Sequence, residues 1–283
     1  MLRRLRNMII AGAAIVIVVI GIIGYGVTGL VYASSRVAGA DKSLNAVVSH
    51  QNNLNSTFKD IDTNFSSLSS NTSFDPVQAR TVLDRFVANS KLAGTTIDKD
   101  DASLVSAQAS LKEQEWLTVV SRGNLDKAGS RIDHARKGLA SAKIVTADYV
   151  LDGMFFQAFI DSAADLDPLS TQSANADVTG ARATLATMKA DTDKALQLST
   201  APGLPKELHD LMVDFQKFVT DFGAILNAVT SGNNTALATA ERTVQADSSK
   251  MSGYNFDKIQ GDMDVFYKPL IDTYNSEMTK ATS

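Results

Sequence analysis

The stretch RIDHARKGLASAKIVTADYVLDGMFF, residues 131–156, combines side chains that can transfer protons or bind metal ions. It holds His134, one of three histidines in the chain, with Asp133 beside it and Asp148 and Asp152 further on. Imidazole and carboxylate groups are common general acids and bases and common zinc ligands. Apolar residues recur here every three or four positions, however. His134, Asp133 and Asp148 fall outside that apolar face and Asp152 flanks it, so we predict a solvated helix surface.

Other residues with metal-binding chemistry are widely dispersed. His50 and His209 lie far from each other and from the stretch above, each in a polar context. We therefore predict surface positions for them rather than a three-histidine metal site. The segment DKDD, which holds Asp98, Asp100 and Asp101, lacks the glycine and the glutamate of a calcium-binding loop. We interpret it as negative charge at a helix N-terminus.

The sequence contains none of the common catalytic motifs. It has no glycine-rich phosphate loop, no G-x-S-x-G, no H-E-x-x-H and no cysteine. Its net charge is -4, and acidic and basic residues alternate, so no basic stripe predicts nucleic-acid binding. We therefore predict a non-enzymatic protein that needs no metal or cofactor.

The N-terminal segment has the composition of a membrane-spanning helix. Arg3, Arg4 and Arg6 precede an apolar run, and no residue from 7 to 35 carries a charge. Spanning the hydrocarbon takes about 20 apolar residues. Residues 8–33 are therefore predicted to cross a lipid bilayer.

The distribution of arginines predicts the orientation of that helix. Arg36 is the only charged residue directly after the run, so the N-terminus is expected in the cytoplasm. Residues 1–33 then form a cytoplasmic stub and a signal-anchor, and residues 34–283 lie in the periplasm or extracellular space. A signal peptide cleaved after Ala33 is the alternative. The apolar run is longer than the roughly 7–15 residues of a signal-peptide core, which favours the uncleaved anchor.

Small residues recur within the predicted membrane helix. Gly21, Gly24 and Thr28 fall on one helix face. Small side chains permit close contact between helices in lipid, so this face is a candidate contact surface. The alternative is that glycine is simply frequent in membrane helices.

The rest of the chain is predicted to be a succession of amphipathic helices. Aromatic residues make up 7% of the sequence and only 5 residues are proline, which disfavours a sandwich or barrel. From Val37 to Leu68 apolar residues recur at alternating steps of three and four, with Gln51 as the one polar member. Asp75 and Pro76 then have the types expected at a helix N-cap and first helical position.

Glycine and proline predict where the later helices end. We expect a break near Gly94 in the second helix. A third helix, with a regular apolar face from Leu125 to Ala163, follows. Pro205 begins a further helix, and the last helical region is expected to be interrupted near Gly253.

These features predict an all-α fold. A single N-terminal transmembrane helix is followed by an elongated, antiparallel, coiled-coil-like bundle of about five or six helices. The bundle occupies residues 34–283, with sub-bundles expected at 34–170 and 171–283.

The antiparallel arrangement collects aromatic residues at the end of the bundle that is distal to the membrane. They are Phe58, Phe65, Phe86, Tyr149, Phe155, Phe156 and Phe159. Helical spacing favours core packing for them, and a ligand pocket or partner surface is the alternative. Phe155 directly precedes Phe156, so it should face away from the apolar face and either meet another helix or be exposed. Trp116 is expected to be a packed anchor or an interfacial residue.

Two functions compete on these grounds. The first is a membrane-anchored interaction, scaffolding or assembly protein that binds a protein partner or itself through its helix faces. The second is a ligand-sensing or ligand-binding bundle that uses the distal aromatic residues as its pocket.

Overall fold

The described part of the chain is helical. The computed structural model describes residues 35–70, 75–112 and 122–283, with side chains described at 36–56, 75–112 and 123–283. No strand occurs among these residues, so the predicted all-α class is confirmed. The helices are α1 (Ser35–Ser70), α2 (Pro76–Lys112), α3 (Arg122–Ala164), α4 (Leu166–Ala174), α5 (Val178–Leu198), α6 (Lys206–Ser231), α7 (Asn234–Met251) and α8 (Phe256–Thr282).

The predicted membrane helix, residues 8–33, lies outside the described residues, as do Gly21, Gly24, Thr28 and Trp116. Within the parts of the chain that are described, no helix combines the length and the apolar character needed to cross a bilayer.

Contacts divide the described residues into two compact helical units. Unit I contains those within Ile61–Val87 and Asp148–Phe266. Unit II contains those within 35–60, Ala88–Ala147 and Tyr267–Ser283. Each unit is therefore assembled from segments that are distant in sequence. The sub-bundles expected on either side of residue 170 stay a prediction.

Local sequence signals set several helix ends. Asp75 caps α2 as predicted, because its Oδ1 accepts hydrogen bonds from the backbone N–H groups of Val77 at 2.9 Å and Gln78 at 3.2 Å. The α6–α7 turn uses Gly232, which adopts the left-handed φ of 65°. Asn233 then caps α7 by accepting a hydrogen bond from the Ala236 N–H at 3.0 Å.

The structure corrects two of the predicted boundaries. Helix α2 continues through Gly94 without a break. One glycine costs a helix only about 1 kcal/mol relative to alanine, and packing readily offsets this. At Gly94 a Cβ atom would lie 3.7 Å from Thr146 Oγ1 on α3, so the position is packed. The short helix α4 was not expected, and it buries Leu166 and Leu169. The predicted interruption near Gly253 is confirmed between α7 and α8.

The core of unit II is made mostly of aliphatic side chains and alanines. Its buried members include Val37, Ala40, Leu44, Val47, Ile97, Leu104, Leu111, Leu125, Ala128, Ile132, Ala135, Leu139, Ala142, Tyr274 and Ala281. Small side chains allow helix backbones to approach closely. At Gly138 of α3, an added Cβ would lie only 3.4 Å from the backbone oxygen of Tyr274 on α8.

Candidate functional site

Five of the aromatic residues predicted to form a distal cluster lie in unit I, where they make ring contacts in two groups, Phe86 with Tyr149, and Phe155 with Phe156 and Phe159. Those with described side chains are Phe86, Tyr149, Phe155, Phe156 and Phe159, and all five are buried. Helix α1 contains Phe58 and Phe65, but their side chains lie outside the described residues.

These rings pack against one another and against α6. The ring centroids of Phe86 and Tyr149 are 5.4 Å apart, and those of Phe155 and Phe156 are 5.0 Å apart. Phe159 is 6.4 Å from Phe215 in an edge-to-face arrangement. Such distances are those of aromatic side chains in contact. Phe155 is completely buried, in agreement with the first of its two expected positions. Ligand binding by this cluster stays a prediction.

His134 lies between helices rather than on a free surface. Its Nδ1 donates a hydrogen bond to Glu277 Oε2 of α8 at 2.7 Å. The Lys280 ammonium donates to the other oxygen, Oε1, at 2.5 Å. The hydrogen bonds from His134 and then Lys280 lower the pKa of Glu277 to about 2. The predicted solvated histidine is therefore half of an interhelical pair between α3 and α8.

Two of the neighbouring aspartates are also not solvated. Asp148 is 7% exposed and Asp152 is 1% exposed, which contradicts the predicted outward position of Asp148 and the solvated surface predicted for both. Helix α3 is buried on more than one side in this region, since every residue from 155 to 160 is buried. Burial raises the pKa of Asp148. Asp133 is exposed as expected and accepts a hydrogen bond from Gln108 of α2.

The second histidine takes part in a buried polar chain within unit II. His50 Nδ1 donates to Asp100 Oδ1 at 2.7 Å, and Gln51 Nε2 donates to Asp100 Oδ2 at 3.1 Å. The Tyr274 hydroxyl donates to Gln51 Oε1 at 3.4 Å. Burial, and then the charge of Asp100, raise the pKa of Tyr274 well above its ordinary value. This chain connects α1, α2 and α8, and it explains why a glutamine occupies the apolar face of α1.

The acidic segment of α2 therefore has a different role from the one predicted. Asp98, Asp100 and Asp101 lie in the interior of α2 and not at its N-terminus. Asp98 accepts from Lys143 Nζ at 2.6 Å, and Asp101 accepts from Arg136 Nε at 2.7 Å. Each aspartate thus binds a side chain of another helix. The macrodipole interpretation is wrong.

Arg131 is a further buried charge that the sequence analysis did not single out. Its Nε donates to the backbone oxygen of Ala281 at 2.8 Å, and its Nη1 donates to Asp41 Oδ1 at 2.9 Å. The carbonyls in the last turn of a helix have no partner within the helix, so this guanidinium satisfies one of them. One indication of this burial was present in the sequence. Arg131 directly precedes Ile132, which belongs to the apolar face, so Arg131 lies at the edge of that face.

The third histidine has an uncharged partner. His209 Nδ1 and Ser199 Oγ are 2.8 Å apart in unit I, across the turn between α5 and α6. Ser199 is 1% exposed, so this serine–histidine pair is not open to a substrate and serves the turn. No group of three histidine or acidic side chains among the described residues is arranged to hold a metal ion.

Two ion pairs join helices α6 and α7 in unit I, and each helix contributes the acid of one pair and the base of the other. Asp214 of α6 accepts hydrogen bonds from Lys250 Nζ of α7 and from the Tyr254 hydroxyl, each at 2.7 Å. In the opposite sense, Lys217 of α6 donates to Asp247 of α7 at 2.7 Å. Both aspartates are buried, whereas both lysines keep more than half of their side chains in solvent.

The histidines and aspartates that could act as acids, bases or metal ligands are thus bonded to side chains of other helices. His50 and His134 each bond a carboxylate of another helix, and Asp98, Asp100 and Asp101 each bond a side chain of another helix. Such an arrangement fixes the register of the helices that these pairs join. No protein-family model, curated protein or solved structure matches the chain.

Proposed function

We propose that this protein is a membrane-anchored helical bundle that acts as a non-enzymatic interaction, scaffolding or assembly module. In this proposal residues 8–33 cross the bilayer, the N-terminus is cytoplasmic, and an elongated antiparallel bundle projects into the periplasm or extracellular space. Its partner is a second protein or another copy of the chain.

One observation carries the proposal. Each histidine bonds a side chain of a neighbouring helical segment, and the histidine–carboxylate pairs join α1 to α2 and α3 to α8. A general acid or base must reach its substrate within hydrogen-bonding distance. Groups committed to helix contacts instead support a role in which the shape and surface of the bundle matter.

The described surface also offers apolar side chains for contact with a partner. Leu92, Val105 and Ile144 of unit II are 59%, 42% and 49% exposed. Single exposed apolar residues are normal on a soluble domain, so they do not define an interface by themselves. They are suitable positions for a test.

The test is photo-crosslinking of the full-length chain in its native membrane. A photoreactive phenylalanine analogue is placed singly at Leu92, Val105 or Ile144, with Lys127 as an exposed polar control position. We expect a discrete higher-mass adduct at one or more apolar positions and not at the control, identified by mass spectrometry. Absence of any adduct, together with a strictly monomeric residue 34–283 fragment, would exclude the interaction role.

The membrane topology is tested separately in the same cells. The chain contains no cysteine, so a single introduced cysteine reports its own location. A membrane-impermeant maleimide should label Lys127→Cys in intact cells and should not label Asn7→Cys until the membrane is permeabilised. Labelling in the opposite pattern would reverse the proposed orientation.

A further inference from the structure

We propose that the groove between α6 and α7 in unit I binds a small organic cation, an alkylammonium ion whose charged head lies beside Asp221 and Asp247 and whose aliphatic chain lies along the groove. This inference does not depend on the interaction role proposed above, because the groove shares no residue with the surface positions chosen to test that role.

The groove is an open cleft of about 460 Å³. Its lining comes from the two helices and the turn between them: Asp221, Ala224, Asn233, Thr235, Ala236, Thr239, Ala240 and Thr243. Sites for small molecules typically enclose about 300–1,000 Å³ and combine apolar walls with a few polar groups. Asp221 is the charged side chain of this lining, so the groove has the size of a ligand site and a preference for positive charge.

The walls of the groove suit an aliphatic chain. Thr239 Oγ1 donates a hydrogen bond to the backbone oxygen of Thr235 at 3.0 Å, and Thr243 Oγ1 donates to that of Thr239 at 3.1 Å. These hydroxyl protons are therefore already used within α7. What the two threonines offer a ligand is their methyl groups and hydroxyl acceptors, next to the methyl groups of the lining alanines. An anion would lack donors here.

One end of the groove is rich in carboxylate oxygens. Lys217 Nζ donates to Asp221 Oδ2 at 2.5 Å and to Asp247 Oδ1 at 2.7 Å, so one ammonium serves two carboxylates. Hydrogen bonding from Lys217 first, opposed by partial burial, and then the adjacent Asp247 lower the pKa of Asp221. Asp221 is therefore ionised at neutral pH, and this end of the groove has more acceptors than Lys217 can satisfy.

Asp247 supplies an independent observation that points to a ligand. It is 8% exposed, and its Oδ2 is buried without a hydrogen-bond partner among the described residues. Leaving a buried polar atom without a partner is costly, and native proteins normally provide one. Asp247 lies one helical turn after Thr243 and next to Asp221. An ammonium carries several N–H donors, so one ligand head placed here can bond both carboxylates.

The same surroundings favour an organic monocation over a metal ion. Within the described ranges, no three histidine or acidic side chains are arranged to hold a metal. The other end of the groove lies at the N-terminus of α7, where the helix dipole disfavours a second positive charge. Residues 236–243 span about 10 Å of helix, which accommodates an extended n-pentylammonium ion.

Isothermal titration calorimetry of the full chain in lipid nanodiscs tests the proposal, with empty nanodiscs as the reference. The probe is n-pentylammonium. Pentanoate has a similar chain with the opposite charge, Mg²⁺ probes for a metal site, and the peptide acetyl-Ala-Lys-Ala-amide presents the same ammonium as part of a protein.

Four variants locate the binding site. Asp221→Asn and Asp247→Asn remove a carboxylate at nearly constant size, and Thr239→Leu fills the groove without changing any charge. Asp210→Asn is the matched control, because Asp210 is a lysine-paired aspartate of the same helix that does not line the groove.

We expect saturable binding of n-pentylammonium by the parent and by Asp210→Asn. The affinity should fall about tenfold or more in Asp221→Asn and in Asp247→Asn, because each loses a charged hydrogen bond, and it should also fall in Thr239→Leu. Pentanoate and Mg²⁺ should not compete.

Three results would overturn the proposal: no saturable binding of n-pentylammonium by the parent, unchanged affinity in Asp221→Asn or in Thr239→Leu, or equal binding of pentanoate. Tighter binding of the lysine peptide would overturn the assignment to a free amine and identify a protein side chain instead. The parent and Thr239→Leu keep every charge, so they decide the matter even if Asp247→Asn does not fold.

Discussion

The two units of the described chain solve the problem of helix packing in different ways. Unit I packs large rings, with Phe155, Phe156 and Phe215 almost completely buried and in contact with neighbouring rings. Among its described residues, unit II buries two aromatic side chains, Tyr267 and Tyr274, and its core otherwise consists mostly of alanines and aliphatic side chains. Large rings fill the space between helices, whereas small residues bring helices close enough for polar side chains to reach across.

The consequence is a difference in what each unit responds to. A core of rings is sensitive to lost volume, because truncation leaves a cavity. A close-packed core of small side chains loses less volume on truncation, whereas charged groups across helices, which both units have, make stability sensitive to pH and to the loss of single polar partners. The following substitutions test this contrast.

The largest effect is expected from truncating a ring in unit I. Phe156 is 0% exposed, so Phe156→Ala should lower the free energy of unfolding by about 3–5 kcal/mol. The measurement is urea denaturation followed by circular dichroism. Val265→Ala is the matched control at a 71% exposed position, with an expected change within about 0.5 kcal/mol. Equal losses in the two variants would contradict the ring-packed core.

Two glycines on α3 give a paired comparison of the units. In unit I, a Cβ at Gly153 would lie 2.5 Å from Val87 Cγ2 and 3.0 Å from the Phe86 ring. Gly153→Ala should therefore cost about 1–3 kcal/mol. In unit II, the Cβ at Gly138 would lie 3.1 Å from Cγ and 3.2 Å from Sδ of the flexible Met278 side chain, and 3.4 Å from the Tyr274 backbone oxygen. Met278 can move, and alanine is the better helix former by about 1 kcal/mol, so Gly138→Ala should be nearly neutral.

Thermal denaturation of both glycine variants measures this difference. The double variant Gly153→Ala/Val87→Ala relieves the closest contact and should recover part of the lost stability. If Gly138→Ala destabilised the protein as much as Gly153→Ala, the contrast between a rigid and an adjustable contact would be wrong.

A charge substitution in unit I shows how far its stability depends on rings alone. Lys250→Met leaves the buried carboxylate of Asp214 with the Tyr254 hydroxyl but without a cation. We expect a loss of about 1–2 kcal/mol in urea denaturation. Lys206→Met removes an exposed pair with Asp210 within α6, which typically contributes only about 0.3–0.5 kcal/mol. Equal effects would mean that burial of the carboxylate is unimportant.

In unit II, protonation of Glu277 is expected to lower the free energy of unfolding at acid pH. Its pKa in the folded protein is about 2, below the ordinary value of 4.5. The stabilisation is therefore complete above the ordinary pKa and is lost as the pH falls from about 5 to about 2. Glu277→Gln should lower the Tm at pH 7 by about 2–4 °C, and the difference should vanish near pH 2. A constant difference at all pH values would show that charge is not the cause.

The smallest effect concerns Asp165 of unit I and has the opposite sign. Burial first, and then Asp191 and Asp161, raise its pKa from 3.8 to about 6. The charged form is thus unfavourable in the folded state, and the cost appears as the pH rises through about 6. Asp165→Asn should stabilise the protein by about 1 kcal/mol at pH 8 and by nothing at pH 3. Urea midpoints at the two pH values provide the measurement, and destabilisation at pH 8 would contradict it.

The helices themselves were predictable because they depend on local signals. Apolar spacing identified α1 and α3, and the Asp75–Pro76 pair and Pro205 located the starts of α2 and α6. Gly94 was misjudged, because contact with α3 outweighs a weak intrinsic preference. Such contacts depend on residues far away in sequence, and a single sequence does not reveal them.

The polar pairs between helices were harder to predict, and the reason is geometric. A helical-wheel argument assigns one buried face to each helix, but α3 contacts neighbours on several sides. Asp148 and Asp152 are buried for this reason, although both lie outside or beside the regular apolar face. Gln51 was a local clue, because a polar residue in an otherwise apolar repeat needs a partner.

The two ion pairs of opposite sense between α6 and α7 limit which substitutions this helical hairpin tolerates. Because each helix contributes one acid and one base, sliding α7 by a single turn would bring together either the two aspartates, Asp214 and Asp247, or the two lysines, Lys217 and Lys250. Loss of one lysine consequently cannot be repaired by a shift, since the shift would break the other pair. A change in one member of a pair therefore preserves the alignment of the two helices only when its partner changes with it.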